Sequence, residues 1–164
     1  MIEIRISKIL IVISCALLGG LPGLSNVLDY GVNLVNVQHV LSMDVQIVDT
    51  FAKSFKAINS PIIHHLAYIL IIISEFLVGI LGIWGAVNMW NARHDVVAFN
   101  RSKGKAIWAF SIGVLIWLMG FMVVGGEWFL MWLSPEWNSQ QSAFRIVIPF
   151  MLGLIFIAQK DEQF

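Results

Sequence analysis

The sequence predicts an all-α membrane protein with four transmembrane helices in an antiparallel bundle. Of its 164 residues, 59% are hydrophobic and only 12% are charged, whereas a soluble domain carries roughly a quarter charged residues. This leaves too little polar surface to cover a water-soluble globule, so lipid must replace water around much of the chain. The sequence has no basic stripe and no nucleic-acid-binding motif, which excludes nucleic acid as a partner.

Four apolar segments have the length that a membrane helix requires, about 20 residues for roughly 30 Å of hydrocarbon. They cover residues 9–28, 62–89, 106–133 and 143–158 of a single domain. The fourth segment is short and contains Pro149. It spans the membrane if Arg145 and Lys160 extend to the two interfaces, and partial insertion of this helix is the alternative.

The distribution of Lys and Arg predicts that both termini face the cytoplasm. Seven basic residues lie in the N-terminus, the inner loop 90–105 and the C-terminus: Arg5, Lys8, Arg93, Arg101, Lys103, Lys105 and Lys160. The other side has three: Lys53, Lys56 and Arg145. An excess of positive charge marks the cytoplasmic side. A retained first helix explains the N-terminus better than a lipoprotein signal at Cys15, because the apolar run continues beyond that cysteine.

The outer loop, residues 29–60, is the only long connection between the predicted spans. Within it, Val35, Val37, Val40 and Leu41 recur among polar residues. This pattern indicates a short amphipathic helix lying on the outer surface.

Glu75 is an ionisable residue near the middle of the second span, where a charged side chain costs about 2.5–3.5 kcal/mol. Helical spacing places it on one face with small residues, Gly79, Gly82 and Ala86. The third span offers a matching face that includes Gly113 and Gly120. The two faces predict close helix packing. Glu75 is then either a hydrogen-bonded structural group or a group that binds protons or a ligand.

The outer ends of the spans carry a second group of polar side chains. His64 begins the second span, Glu127 ends the third, and His39 lies in the outer loop. Imidazole and carboxylate groups suit zinc, copper or iron, and two histidines can ligate haem. The spacing matches no diagnostic motif, so a protein without a cofactor is the favoured interpretation, with a metal or haem site as the alternative.

Two stretches of the sequence are distinctive, His39–Asp44 with the sequence HVLSMD and Gly125–Trp132 with the sequence GGEWFLMW. The second stretch leads through Trp137 and Asn138 to Phe144 and Arg145. With His64-His65 and the four-span layout, they resemble a bacterial family described only as predicted small integral membrane proteins of unknown function. The resemblance covers nearly the whole chain and implies a bacterial inner-membrane location. It also directs attention to the outer face, through His39, His64, Glu127, Trp128 and Trp132.

These observations favour a non-enzymatic accessory or interaction component that contacts lipid and packs against another membrane protein or a second copy of itself. The sequence shows no catalytic motif and no inverted repeat of the kind that transporters use. Two alternatives remain open: a metal or haem protein with its site at the outer face, and proton-coupled transport through Glu75.

Overall fold

The computed structural model describes residues 2–44 and 51–162, which are helical over most of their length and contain no strand. In chain order the elements are α1 (Ile2–Leu28), α2 (Tyr30–Ser42), α3 (Lys53–Lys56), α4 (Pro61–Asn91), α5 (Val96–Ser102), α6 (Gly104–Val114), a π-helical segment (Leu115–Trp128), a 3-10 turn (Met131–Leu133) and α7 (Gln140–Ala158). The predicted all-α fold is therefore confirmed.

Four of these helical stretches are long and apolar enough to cross a membrane: Ile2–Leu28, Pro61–Asn91, Val96–Trp128 and Gln140–Ala158. They pack as a closed ring, in which α1 lies along α4, α4 along α6, α6 and the π-helical segment along α7, and α7 against α1. The first span begins at Ile2, before the predicted start at residue 9, because Arg5 and Lys8 are buried against the rest of the bundle.

Small residues set the distance between α4 and its neighbours. A Cβ atom added at Gly79 would lie 3.1 Å from the Gly20 Cα, and one added at Gly82 would lie 2.5 Å from the Ala16 Cβ. Gly79 therefore faces α1, and not the third span as the sequence predicted, whereas Gly82 faces α1 and a Cβ added there would also lie 3.7 Å from the Ala109 Cβ of the third span. Gly85, one helical turn after Gly82, faces α6. Because α4 has two neighbours, its small residues are divided between them.

The third span changes from α-helix to π-helix at Leu115. Its hydrogen bonds then run between residues five apart, as from the Phe129 N–H to the Val124 carbonyl at 3.0 Å. The wider turn breaks the spacing of four and three residues that the sequence analysis used for this span. Gly120, expected on the packing face, is exposed, and a Cβ there would meet only the Leu115 carbonyl at 3.9 Å.

The bundle core receives residues from all four spans, and an aromatic group lies within it where the third span meets α7. The Phe150 ring stacks on Trp117 at a centroid distance of 5.2 Å and meets Phe110 edge-on at 5.7 Å. Gly113 lies directly against the Phe150 ring. It therefore packs on α7, and not on the second span as the sequence analysis expected.

The predicted inner loop contains a short helix, α5, that the hydrophobic pattern did not indicate. Asp95 begins it, because its carboxylate accepts hydrogen bonds from the Val97 and Ala98 N–H groups at 2.8 and 3.0 Å. A side chain that binds the free N–H groups of a first helical turn is an N-cap. The amphipathic helix expected in the outer loop is present as α2, although residues 45–50 of that loop lie outside the described residues.

Candidate functional site

The bundle has two polar ends, defined here by the residues that meet there. The loop end contains α2, α3, the start of α4 and residues 129–139. The terminal end contains the starts of α1 and α6, α5 and the segment after α7. Contacts across each end hold distant parts of the chain together, as between His39 and Trp137 at the loop end and between Lys8 and Asp161 at the terminal end.

The loop end brings together the two distinctive stretches of the sequence. Residues of both stretches, together with Ser134 and Trp137, line a small cavity of about 10 Å³: His39, Val40, Met43, Phe129 and Met131. The His39 Nδ1–H donates to the Asp44 carboxylate at 2.9 Å, and the His39 ring lies 4.6 Å from the Trp137 ring. Sequence reasoning singled out both stretches but did not place them against each other.

Two residues beside this cavity have a left-handed backbone conformation. Met43 has φ 51° and Leu130 has φ 54°, and they are the only non-glycine residues with positive φ in the described parts of the chain. This conformation costs an ordinary residue roughly 1–2 kcal/mol. Both strained positions hold cavity residues in place: Met43 itself, and Phe129 and Met131 on either side of Leu130.

The three predicted metal ligands have separate environments. His64 is buried, and its Nε2–H donates to the Ile58 carbonyl at 2.6 Å. Glu127 is exposed near the end of the π-helical segment. His39 is paired with Asp44. Among the described residues, no three His, Cys, Asp or Glu side chains lie close enough to hold one metal ion.

Glu75 lies inside the bundle, with 4% of its surface exposed. The Asn26 side-chain amide donates to the Glu75 carboxylate at 2.7 Å, and the Asn33 amide donates to the Asn26 side-chain carbonyl at 2.7 Å. The Tyr68 hydroxyl donates to the Asn26 backbone carbonyl at 3.3 Å. Because Asn33 is exposed on α2, these bonds form a polar chain from Glu75 to the loop end.

The terminal end holds a buried ion cluster that the sequence analysis did not identify. Asp161 accepts hydrogen bonds from Lys8 at 2.8 Å and from Lys103 at 2.5 Å, and all three residues are at least 91% buried. The Asn100 side chain also binds the Asp161 backbone on both its N–H and carbonyl sides. The sequence predicts a role for both lysines in setting the membrane topology, not in an ion cluster. The sequence feature that could have indicated this cluster is Asp161, an acidic residue just after the last apolar segment.

The two lysines determine the protonation of Asp161. Burial raises the pKa of this carboxyl, but hydrogen bonds and charge from Lys103 and Lys8 lower it by more, so the pKa lies below its ordinary value. The carboxylate is therefore ionised at neutral pH. The cluster joins α1, the α5–α6 junction and the segment after α7.

Comparison with known proteins identifies a family. Residues 4–160 match the family model described as "Predicted small integral membrane protein (DUF2165)". The chain belongs to this family. The match confirms the resemblance drawn from the two distinctive stretches and, with the four candidate spans, shows an integral membrane protein. No curated protein and no solved structure matches the chain. The family description states no activity, so the proposals below rest on the arrangement of this chain's own residues.

Proposed function

We propose that this family member is a non-enzymatic component of the bacterial inner membrane that works by binding another membrane protein. The terminal end then faces the cytoplasm, because it carries most of the Lys and Arg residues of the chain. The family description supports a location within a membrane.

A groove on the membrane-facing side of α4 carries this proposal. It is a shallow, wide-open depression with a volume of about 580 Å³, lined by Phe76, Gly79, Ile80, Ile83 and Trp84 of α4. It lies beside the close approach of α1 and α4 at Gly20 and Gly79. Ile80 and Trp84 are 59% and 52% exposed. Without a hydrophobic driving force between helices in lipid, membrane helices associate by van der Waals packing of surfaces that fit each other.

The shape of the groove favours a different protein over a second copy of this chain. A symmetric dimer places the same patch of both subunits face to face. Two depressions do not fill each other, whereas a protruding helix of another protein fills one. The expected occupant is therefore a transmembrane helix with bulky apolar side chains.

Photocrosslinking in the membrane tests this proposal. A benzoylphenylalanine at Ile83 is expected to capture one heterologous protein of constant mass, while the same probe at Ile155, an exposed residue of α7, does not. The captured protein should also co-purify with the unmodified chain, and less with an Ile80→Trp variant that fills the groove. A covalent dimer of this chain, or adducts with lipid alone, would contradict the proposal.

Glu75 supports a second candidate function, the exchange of a proton with the loop side of the membrane. The observation in its favour is the polar chain through Asn26 and Asn33. Towards the terminal end, α1 and α4 are in contact through Gly20 and Gly79, and through Ala16 and Gly82. Access to Glu75 is therefore expected from the loop end alone, which predicts proton binding and not a continuous proton current.

Infrared spectroscopy of the protein in proteoliposomes tests this second candidate. We expect a carboxyl band that changes with bulk pH and is missing in a Glu75→Gln variant, while Glu136→Gln, an exposed control, keeps the band. The Glu75→Gln variant should show the same proton flux across the vesicle membrane as the wild type. A Glu75 band that does not respond to pH would make this residue purely structural.

A further inference from the structure

The loop-end cavity has a chemical character that the sequence-predicted metal set lacks. Its lining residues include two methionines, Met43 and Met131, whose side chains end in thioethers, and one histidine, His39. Thioethers are soft ligands that select Cu(I) over the harder divalent metals. These side chains come from two segments that are distant in sequence: α2 with the residue that follows it, and the 3-10 turn. The complete set of ligands therefore forms only in the folded chain.

The cavity has the size of a single small ion. Its volume of about 10 Å³ is close to the roughly 10–15 Å³ that one water molecule needs. Met43 is 1% exposed and Met131 is 4% exposed, so both thioethers are withdrawn from solvent. An organic ligand does not fit in this space, whereas a monovalent metal ion does.

His39 is oriented as metal-binding histidines usually are. Its Nδ1–H donates to the Asp44 carboxylate at 2.9 Å, and histidine ligands commonly donate their second N–H to a carboxylate that fixes the ring and raises its basicity. The Nε2 atom has no hydrogen bond to a described residue, so it is the ring nitrogen left for a metal ion. The Trp137 ring covers the imidazole at 4.6 Å.

Two residues at the cavity have a strained backbone. Met43, at the C-cap of α2, and Leu130 both hold the left-handed conformation without being glycine, and such strain persists where surrounding structure fixes it, including at functional sites. Each strained residue is, or directly precedes, a candidate sulfur ligand. This observation is independent of the identity of the cavity side chains.

We propose that His39, Met43 and Met131 bind one Cu(I) ion at the loop end, with Asp44 positioning the imidazole and Trp137 covering the site. The three ligands are neutral, so the metal keeps a single positive charge, which the Asp44 carboxylate balances. Zinc is disfavoured, because it binds thiolate, imidazole and carboxylate ligands, and no three of these meet in the described part of the chain.

Titration of the purified full-length protein with Cu(I) tests the site. The metal is added without oxygen, in competition with a chromophoric Cu(I) chelator, with Ag(I) as a redox-inert probe in parallel. We expect one Cu(I) per chain and a change in tryptophan fluorescence that is lost in a Trp137→Phe variant. X-ray absorption should show sulfur and nitrogen neighbours of the metal.

Variants assign the ligands. Leucine replaces methionine at nearly constant volume and usually preserves the fold. Met43→Leu and Met131→Leu are each expected to weaken Cu(I) binding at least about tenfold, and Asp44→Asn to weaken it about 10–100-fold as other outer-shell substitutions do. Met89→Leu makes the same change at a buried methionine outside the loop-end cavity and should bind as the wild type does.

Three results would overturn the proposal. The first is wild-type protein that binds no Cu(I) in competition with the chelator. The second is binding that the Met43→Leu/Met131→Leu double variant retains in full while its circular dichroism is unchanged. The third is displacement of the metal by an equal concentration of Zn²⁺, which would indicate a site made of His and Asp alone.

Discussion

An Asp161→Asn variant is expected to lose about 3–5 kcal/mol of stability, the usual cost of removing one partner from a buried ion pair. Asp161 is the carboxylate that binds the ammonium groups of Lys8 and Lys103, which are 2% and 4% exposed. Asparagine keeps the size of the side chain but leaves both cations without a counter-charge. Unfolding by heat or by SDS in mixed micelles, followed by circular dichroism, measures the loss.

The same cluster predicts how stability depends on pH. The pKa of Asp161 in the folded chain lies below its ordinary value of 3.8. Ionised Asp161 therefore makes its full contribution to the stability of the fold at pH values above 3.8. That contribution is lost as the pH falls through the lower pKa of the folded chain. The difference in stability between the wild type and Asp161→Asn should thus be constant near neutral pH and shrink in strong acid.

Two further variants separate charge compensation from other causes. Glu162→Gln removes the charge of the adjacent exposed residue and should leave stability unchanged. If Asp161→Asn does not fold, a Lys8→Met/Lys103→Met/Asp161→Leu triple variant replaces the cluster by apolar groups and is expected to recover the fold. Equal stability of Asp161→Asn and Glu162→Gln would contradict this account.

Gly85→Ala is expected to cost about 1–3 kcal/mol, the usual penalty for overpacking a tightly packed interior. A Cβ atom at Gly85 would lie 2.6 Å from the Ala106 backbone nitrogen and 2.9 Å from its Cβ. A backbone atom cannot move aside as the end of a flexible side chain can, so α4 and α6 must separate. The measurement is the same SDS unfolding, together with the yield of folded protein.

Two other glycines provide matched controls. Nothing lies within 4 Å of a Cβ added at Gly104, and at Gly120 the nearest atom is 3.9 Å away. Gly104→Ala and Gly120→Ala should therefore not lower stability. Gly120→Ala is informative in a second way, because the sequence analysis placed Gly120 at a helix contact and the structure places it on the surface. A loss as large as that of Gly85→Ala would favour the sequence-based assignment.

The candidate sites were only partly predictable. An intramembrane Glu75 and a polar group at the loop end follow from residue type and position along a span. The hydrogen bond between Glu75 and Asn26 does not follow from the sequence. Asn26 is on α1, and the register of α1 relative to α4 depends on how closely Gly20 and Gly79 approach. The sequence predicted His64, Glu127 and His39 as ligands because they lie at the same depth in the membrane. Depth alone does not place side chains next to each other within the membrane plane, so these three residues need not meet.

The sequence by itself determined the number of spans and their approximate limits, because a membrane helix satisfies its own backbone hydrogen bonds and needs only an apolar run of sufficient length. It also indicated α2, through a local amphipathic pattern. Only the tertiary structure decided which helices meet the small residues of α4, where the third span becomes a π-helix, and that Lys8 and Lys103 share the carboxylate of Asp161. The same holds for the thioethers and imidazole at the loop end, since contacts between distant segments depend on helix rotation and spacing that no local pattern records.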